Sequence, residues 1–543
     1  MLVALSVALP TSMSGQRLGK RRADARKVEI NAMKYARLLQ LLQNNYVDTT
    51  DVERLTESAI VSLLSGLDPH SVYISRDDVA AMDEPMNGRF DGIGITTVIL
   101  HDTLTVAETV PDCPARKAGI LPGDRITEVE GAPVTGKNLT PDELVQKLRG
   151  PKGSKVKITI CRRTLPQPLE ITVVRDRIPL LSIDAACMLT PQTGYIRLNK
   201  FSETTLQEFK DALRTLKETG TMQNLTLDLR SNGGGLLGAA IGVADHFLGA
   251  GQLVTFLDGT HQNRTDFTAT AVGLFETGRL TVLLDEESAS ASEVVAGAIQ
   301  DWDRGVLIGR RSFGKGLVQQ PFSLPDGAAV RLTVAHYFTP SGRCIQRPYT
   351  HGLQQYYDDI ERRYTHGELF NSDSIIPDNE QKFETLKNKR SVYGGGGIMP
   401  DIFVPLDSTV NYDIFGAIAR QNLISEAALE YEARHREDIL RQYATFEAFC
   451  DSFEIPAHIP ADLLRQASAL QPPDLPGLPD SMNTATAQLL RDEMKALIAG
   501  NLYSPAAFFL FLNRTDPAVI RAVSIAENPA EYDSILQGAR LEP

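Results

Sequence analysis

The sequence predicts an α/β protein of several domains, and three observations support this prediction. The chain is 543 residues long and 42% hydrophobic, which is enough for more than one domain-sized core. Residues 178–405 alternate between strand-like and helix-like runs, a pattern typical of βαβ units. Residues 88–177 are mostly strand-like, and both ends of the chain have helical patterns. We therefore expect an α/β core, a small β domain before it and a helical segment at each end.

Residues 1–25 have the pattern of an export signal. The run MLVALSVALPTSMSGQ is first apolar and then small and polar, with Ser12 and Ser14 at the small-x-small positions of a cleavage site. An ordinary chain terminus is the alternative interpretation. The signal interpretation predicts that the protein is exported.

Residues 26–87 form the predicted N-terminal helical region. Two helices are expected, because Tyr35, Leu38, Leu39 and Leu42 fall on one helical face and a second helical pattern begins near Thr50. Gly66 is the predicted stop of the second helix.

The predicted β domain covers residues 88–177. Two strand-like runs, GIGITTVIL and TLTVAETV, flank His101 and Asp102. A short helix is predicted to begin at Thr140, because Pro141 and Glu143 complete a capping box with proline at its favoured position. The runs KVKITIC and LEITVV predict two further strands.

The predicted α/β core covers residues 178–405. Its expected strands are GYIRLN, NLTLDLR and TVLLD, and its expected helices are TLQEFKDALRTLK, LLGAAIGVADHF and SEVVAGAIQDW. The alternation weakens from residue 340 to residue 400. Residues 406–543 are mostly helical, with a proline-rich break near residues 471–482.

Composition excludes several classes of protein. The net charge is −13 and the pI is about 5.3, which argues against nucleic acid or an anionic membrane surface as the main partner. The five cysteines are scattered, so the sequence indicates neither a zinc site nor a disulfide framework.

The most distinctive motif is SASASEVVAGAIQD, in which Ser290 is the middle of three alternating serines. Ser290 and Glu293 fit a helix capping box, which is the ordinary structural interpretation. The functional interpretation uses the same position. Backbone N–H groups and the positive end of the dipole at a helix start stabilise a developing oxyanion, so Ser290 is a candidate nucleophile.

A nucleophilic serine needs a base, and Lys315 is the candidate. None of the nine histidines lies in a recognisable triad motif, and the sequence has no GxSxG motif. A buried lysine has a lowered pKa and can act as a base when neutral. Lys315 lies between two glycines in SFGKGLVQQ. A surface lysine in a turn is the alternative.

Two glycine loops are candidate binding elements. DLRSNGGGLLG joins a strand to a helix and fits an oxyanion hole better than a phosphate site, because both nucleotide-binding signatures are missing. A tight turn is the structural alternative. GIGI, residues 92–95, enters a strand and fits a loop that holds a peptide carboxylate.

Together these motifs resemble those of the carboxyl-terminal processing peptidases, or tail-specific proteases. The resemblance covers roughly residues 30–405 and rests on the order and spacing of eight fragments. The fragments are LDPHSVYI, FDGIGI, KAGILPGDRI, GYIRLNKFSE, LTLDLRSNGGGLL, SASASEVVAGAIQD, GRRSFGKGLVQQ and TPSGRCIQRPY. Ser231, before NGGG, departs from the residue that the family often has there.

The resemblance implies a ClpP/crotonase-like protease core at 178–405 with an inserted PDZ domain at 88–177. It also implies the roles of the site residues. Ser290 is the nucleophile, Lys315 the general base, and Gln319 orients the lysine. The N–H groups of Gly235 and Ala291 form the oxyanion hole. The loop of Gly92, Ile93, Gly94 and Ile95 holds the substrate's C-terminus. His336 and Tyr337 receive no catalytic role.

The expected function is that of a serine endopeptidase that cleaves proteins with accessible C-termini and needs no metal or other cofactor. The expected location is the bacterial periplasm or cell envelope. The helical region 406–543 is expected to support oligomer formation, to bind an adaptor or simply to stabilise the fold. Two alternatives remain: a catalytically silent PDZ scaffold and a crotonase-like enzyme that acts on acyl thioesters.

Overall fold

The computed structural model describes residues 12–100, 103–136, 141–271, 273–350, 352–375, 381–470 and 477–538. The predictions for His101, Asp102 and Thr140 therefore lie outside the described residues, as does the signal-like segment up to residue 11. The chain divides into two units, one with residues 1–75 and 321–332 and the other with residues 76–320 and 333–543.

The first unit contains the two predicted N-terminal helices and a short strand, α1 (Ser12–Asn45), α2 (Val52–Ser65) and β1 (Val72–Ile74). The carboxylate of Asp51 accepts a hydrogen bond from the N–H of Arg54 (3.0 Å) and caps α2, which ends at Gly66 as predicted. β1 pairs antiparallel with residues 329–331. Ser12 and Ser14 lie in α1.

The second unit begins with α3 (Val79–Asn87) and the predicted PDZ region. Its described residues form the strands and helices β2 (Arg89–Gly92), β3 (Ile95–Leu100), β4 (Thr103–Thr109), α4 (Pro114–Lys117), β5 (Arg125–Val129), β6 (Ala132–Pro133), α5 (Pro141–Leu148), β7 (Lys155–Cys161), β8 (Leu169–Val174) and β9 (Asp176–Pro179). The main sheet has the order β3-β4-β5-β7-β8. β2 and β9 pair antiparallel, so the segments that enter and leave this region lie side by side.

The α/β core contains the alternating elements that the sequence predicts, together with further strands that it does not predict. They are β10 (Ile183–Met188), β11 (Thr193–Leu198), α6 (Thr205–Glu218), β12 (Asn224–Asp228), α7 (Leu237–Asp245), β13 (Leu253–Gly259), β14 (Gln262–Thr268), β15 (Arg279–Leu284), α8 (Ala291–Asp301), β16 (Val306–Gly309), β17 (Leu317–Ser323) and β18 (Ala329–Phe338). β11, β12, β15 and β16 are parallel neighbours, as the alternation predicts. β10 joins β11 antiparallel, and β13 pairs with β14 and with the end of β18.

The segment after β18 has little regular structure, in agreement with its weak pattern. Its elements are α9 (Leu353–Tyr357), α10 (Asp359–Thr365), a 3-10 turn (Ser372–Ser374), β19 (Lys382–Glu384), β20 (Ser391–Tyr393) and β21 (Ile402–Phe403). β21 extends the parallel sheet beside β16.

Eight helices follow in the part of the chain that the structure describes, namely α11 (Tyr412–Arg420), α12 (Leu423–Gln442), α13 (Phe446–Ser452), α14 (Ile459–Leu470), α15 (Thr484–Leu502), α16 (Pro505–Leu512), α17 (Pro517–Glu527) and α18 (Pro529–Leu536). The helices α11–α15 share a core of their own, which includes Phe449 and Met494. None of the helices within the described ranges combines the length and apolar character needed to cross a membrane.

The parallel sheet is covered by helices on both faces. Successive strand residues point to opposite faces, so Val282 packs with α6–α8 whereas Leu283 packs with α17 and α18. The sequence groups α16–α18 with the rest of the helical region, but the structure packs α17 and α18 on the sheet. The last helices therefore complete the α/β core.

Candidate active site

Ser290 lies between β15 and α8 at the carboxyl end of the parallel sheet. Its backbone has φ +54° and ψ −110°, a conformation that non-glycine residues rarely adopt and that costs about 1–3 kcal/mol. Such strain is concentrated at functional sites. The half-buried Ser290 differs from its neighbours Ser288 and Ser292, which are fully buried and donate hydrogen bonds to the carbonyls of Leu229 and Asn232 (2.8 Å each).

The glycine loop after β12 packs directly against Ser290. A Cβ atom on Gly234 would lie 2.8 Å from Ser290 Cβ and 2.9 Å from the nitrogen of Ala291. Gly235 is equally confined, because a Cβ there would lie 2.0 Å from the carbonyl oxygen of Phe201. Glycine is therefore required at both positions.

The two N–H groups proposed for the oxyanion hole are available. Within the described part of the chain, the N–H groups of Gly235 and Ala291 have no hydrogen-bond acceptor. The neighbouring groups are occupied, since Gly234 N–H donates to Asn232 Oδ1 (2.9 Å) and Ala289 N–H donates to Asn232 O (3.0 Å). Unoccupied N–H groups beside a serine are suited to a developing negative charge.

Glu293 connects the serine segment to the lysine segment. Its Oε2 atom accepts hydrogen bonds from the backbone N–H groups of Ser290 (2.8 Å) and Lys315 (2.9 Å). Its Oε1 atom accepts from the Ser312 hydroxyl (2.5 Å) and the Gly314 N–H (2.7 Å). Glu293 is fully buried, and burial raises the pKa of its carboxyl to about 7, although these hydrogen bonds oppose the shift.

Tyr337 forms a second connection between the same two segments. Its hydroxyl lies 3.0 Å from the carbonyl oxygen of Ser290 and 2.6 Å from that of Lys315. Burial raises the pKa of Tyr337 well above its usual value, so the hydroxyl remains a neutral donor. Ser290 and Lys315 thus share two buried partners. From the sequence alone, Glu293 is predicted only as half of a capping box and Tyr337 has no predicted role.

Gln319 contacts the side chain of Lys315. Lys315 Nζ donates a hydrogen bond to Gln319 Oε1 at 3.1 Å. Both residues come from one segment, Lys315 just before β17 and Gln319 within it. The amide is therefore placed to orient the lysine.

The loop of Gly92, Ile93, Gly94 and Ile95 lies at the edge of the PDZ sheet. Ile93 is buried, and its carbonyl accepts a hydrogen bond from Ala115 N–H (2.8 Å). Gly94 has φ +83°, which favours glycine. Ile95 begins β3, an edge strand of the main sheet, and an edge strand can pair with an extended peptide.

The described residues contain no recognisable metal-binding site. No group of three or more histidine, cysteine, aspartate or glutamate side chains is arranged there to hold a metal ion.

Comparisons with known proteins agree with this architecture. A model of peptidase family S41 matches residues 192–355, and a PDZ domain model matches residues 105–162. Residues 414–504 match a family of unknown function.

Several curated and solved proteins are similar to the chain. A carboxy-terminal-processing protease of Bartonella bacilliformis is 37% identical over 316 residues, which cover 58% of this chain and 72% of that protein. A probable CtpA-like serine protease of Staphylococcus epidermidis is 31% identical over 402 residues, covering 72% of this chain and 77% of that protein. The solved structure of a photosystem II D1 C-terminal processing protease is 29% identical to this chain. The match covers 56% of this chain and 82% of that chain, with a TM-score of 0.33.

The fold and these matches define a serine-type peptidase, a hydrolase with a PDZ domain and a helical C-terminal region. More particularly, the chain belongs to the carboxy-terminal processing proteases of peptidase family S41. The family resemblance and the enzyme class predicted from the sequence are thereby confirmed.

Proposed function

We propose that the protein is an endopeptidase that binds the C-terminal segment of a protein substrate and cleaves it through an acyl-enzyme on Ser290, with Lys315 as the base. The observation that supports this most strongly is that Ser290 and Lys315 share the buried partners Glu293 and Tyr337. Two segments of the chain are thereby held together at a serine and a lysine that are 25 positions apart.

The first half of the reaction is acyl transfer to the serine. Neutral Lys315 accepts the proton of Ser290 Oγ, the oxygen attacks the scissile carbonyl carbon, and the carbonyl electron pair moves onto its oxygen. The N–H groups of Gly235 and Ala291 stabilise this oxyanion. When the C–N bond breaks, the leaving amine takes the proton from the Lys315 ammonium.

The second half is hydrolysis. Lys315 accepts a proton from water, and the resulting hydroxide attacks the acyl carbon. The bond to Ser290 breaks, Ser290 Oγ takes the proton back, and the product carboxylic acid leaves. Gln319 orients the lysine throughout through its 3.1 Å contact with Nζ.

Recognition of the substrate is assigned to the PDZ region. An extended C-terminal segment would pair with the edge strand β3, and the loop at residues 92–95 would bind its carboxylate. The leaving amine is then the amino end of the PDZ-bound fragment, so this fragment is the first product to leave the active site.

The same proposal divides the chain into segments. They are a signal-like segment at 1–25, an N-terminal helical region at 26–87, a PDZ domain at 88–177, a ClpP/crotonase-like core at 178–405 and a helical region at 406–543. We also propose export to the periplasm or cell envelope, from the signal-like pattern. Homo-oligomer formation or adaptor binding through the helical region is an accompanying hypothesis.

Degradation of an unfolded test protein with an apolar C-terminal tail tests the proposal without added cofactor. Ser290→Ala and Lys315→Ala should each lower turnover by on the order of a thousandfold or more while the protein stays folded. Ser468→Ala and Lys217→Ala, in which the removed side chains bind only a backbone carbonyl, are the matched controls. A charged tail should weaken degradation.

Three results would contradict the proposal. Cleavage by Ser290→Ala at the wild-type rate would exclude the serine mechanism. Inactive wild-type protein that still binds tail peptides would favour the PDZ scaffold, and hydrolysis of acyl thioesters in place of protein would favour the crotonase-like alternative.

A further inference from the structure

Asp516 connects the C-terminal helices to the loop that contains Gly235. Its Oδ1 atom caps α17 by accepting hydrogen bonds from the N–H groups of Ala518 (2.8 Å) and Val519 (3.1 Å). Its Oδ2 atom accepts a hydrogen bond from Arg230 Nη1 at 2.6 Å. One carboxylate thus binds both the start of a helix and an arginine 286 positions earlier in the chain.

Arg230 is held on its other side by Asp228, the last residue of β12. The guanidinium donates to both carboxylate oxygens of Asp228, with Nε–Oδ1 at 3.0 Å and Nη2–Oδ2 at 2.7 Å. Asp228 is fully buried and also binds Tyr195 and Arg197. Although burial alone would raise the pKa of Asp228, the arginines lower it to about 2, so the carboxylate stays charged.

A second contact from the same helical layer reaches this cluster. The guanidinium of Arg197 lies 4.6 Å from the centre of the Phe509 ring in α16, close enough for a cation–π interaction. Arg197 also donates to the carbonyl oxygen of Arg230 (3.3 Å). The backbone and the side chain of Arg230 are therefore both linked to α16–α17.

The chain leads from Arg230 directly into the oxyanion loop, which we define as residues 231–235. The loop is anchored at its start, where Ser231 adopts φ +57° and its N–H donates to Asp285 Oδ1 (2.9 Å). An oxyanion hole works only when its N–H groups lie within hydrogen-bond distance of the developing charge. A shift at Arg230 is expected to move Gly235 because few residues separate them.

We propose that the C-terminal helices α16 and α17 position the oxyanion loop, and that Asp516 is the positioning residue that acts through Arg230. This inference rests on the proposed serine mechanism and gives residues 505–527 a role in it. Without the Asp516 carboxylate, the largely buried Arg230 loses one of its two anionic partners. The arginine and the loop behind it are then free to shift.

The test compares Asp516→Asn with Asn528→Ala. Asparagine caps a helix as well as aspartate does, so Asp516→Asn removes the charge facing Arg230 but keeps the cap of α17. Asn528→Ala removes the cap of the neighbouring helix α18, where Asn528 contacts Glu531 and not Arg230. We would measure kcat and KM on a tailed substrate, the thermal midpoint, and inhibition by a peptide aldehyde, which forms an oxyanion-bearing adduct with the serine.

Asp516→Asn should lower kcat about tenfold or more with KM nearly unchanged, and aldehyde affinity should fall in parallel. Asn528→Ala should lower the thermal midpoint at least as much as Asp516→Asn does, and it should leave kcat unchanged. Asp516→Glu, which retains the charge, should recover part of the lost kcat.

Unchanged kcat and aldehyde affinity in folded Asp516→Asn would overturn the role of Asp516. An equal loss of kcat in Asn528→Ala would overturn it as well, because general stability would then explain the effect. Ser290→Ala, assayed in parallel, separates this inference from the proposed function. If Ser290→Ala is active, the serine mechanism and the inference both fail. If Ser290→Ala is inactive, the serine mechanism stands, and the kcat and aldehyde affinity of Asp516→Asn decide the inference.

Discussion

The hydroxyl of Tyr337 lies within 3.0 Å of the carbonyl oxygen of Ser290, and the same hydroxyl contacts the carbonyl of Lys315. A single buried oxygen therefore ties the backbone at Ser290 to the backbone at Lys315. The contact involves neither the Ser290 nor the Lys315 side chain, so we expect Tyr337 to affect catalysis through the position of these two segments.

Tyr337→Phe should lower kcat about tenfold, because the two segments lose a shared partner and small displacements of reacting groups are costly. The free energy of unfolding should fall by about 1–3 kcal/mol, since a buried carbonyl loses its donor. Tyr532→Phe is the control, because it removes a buried hydroxyl that donates to Leu280 O (3.0 Å) away from Ser290. We would measure kcat and urea unfolding for both variants. Equal losses of kcat would contradict a positioning role for Tyr337.

Gln319→Glu should shift the pH dependence of cleavage. A carboxylate 3.1 Å from Lys315 Nζ would favour the ammonium form and raise the lysine pKa, so the rising limb of kcat/KM should move to higher pH by about one unit or more. Gln320→Glu makes the same charge change on the opposite face of β17 and should shift the limb less. A pH profile that moves equally in both variants, or in neither, would remove Gln319 from the site.

Gly234→Ala should abolish most activity. The φ of +99° disfavours alanine, and the new Cβ would lie 2.8 Å from Ser290 Cβ, so both the loop and the serine must move. We expect a loss of at least about a hundredfold in kcat/KM. Gly238→Ala, where a Cβ has nothing within 4 Å, is the matched control and should be tolerated. Wild-type kinetics in Gly234→Ala would contradict the placement of this loop.

Glu293→Gln should change how stability depends on pH. The folded-state pKa of about 7 lies above the usual 4.5, so the protonated carboxyl stabilises the fold below pH 4.5, and this contribution is lost as pH rises through 7. The shift corresponds to on the order of 3 kcal/mol. Urea unfolding at pH 4.5 and pH 8 should show a smaller difference in the variant. Glu287→Gln, at an exposed position, should retain the wild-type difference in unfolding free energy between the two pH values. The same difference in both variants would contradict a raised pKa of the buried Glu293 carboxyl.

The main elements of the α/β core were predictable because strand and helix periodicities are local. The strands around Leu227 and Val282, and the helices that follow them, each carry their own pattern. The motif of three serines also indicates Ser290 as a candidate nucleophile, a role that stays a prediction. Its neighbour Glu293 fits a capping box from the sequence, and the structure contains the Glu293 to Ser290 N–H bond of that box.

Contacts between distant segments were not predictable. The same Glu293 carboxylate also binds the backbone around Lys315, and no periodicity indicates that these segments meet. Tyr337 gave no signal, because its role depends only on where its hydroxyl lies. The pattern of an amphipathic helix shows which face is apolar but not which surface that face covers. The packing of α17 against Leu283 was therefore not predictable from the sequence.

The packing of α17 and α18 on the sheet has a consequence for biosynthesis. A ribosome translates Asp228 and Ser290 long before it reaches Asp516, and at ~5–20 residues per second the interval is on the order of tens of seconds. During that time one face of the sheet lacks its cover and Arg230 lacks its second carboxylate. A nascent chain would thus carry the serine and the lysine before the oxyanion loop is fixed, which would delay proteolysis until Asp516 has been synthesised and can reach Arg230.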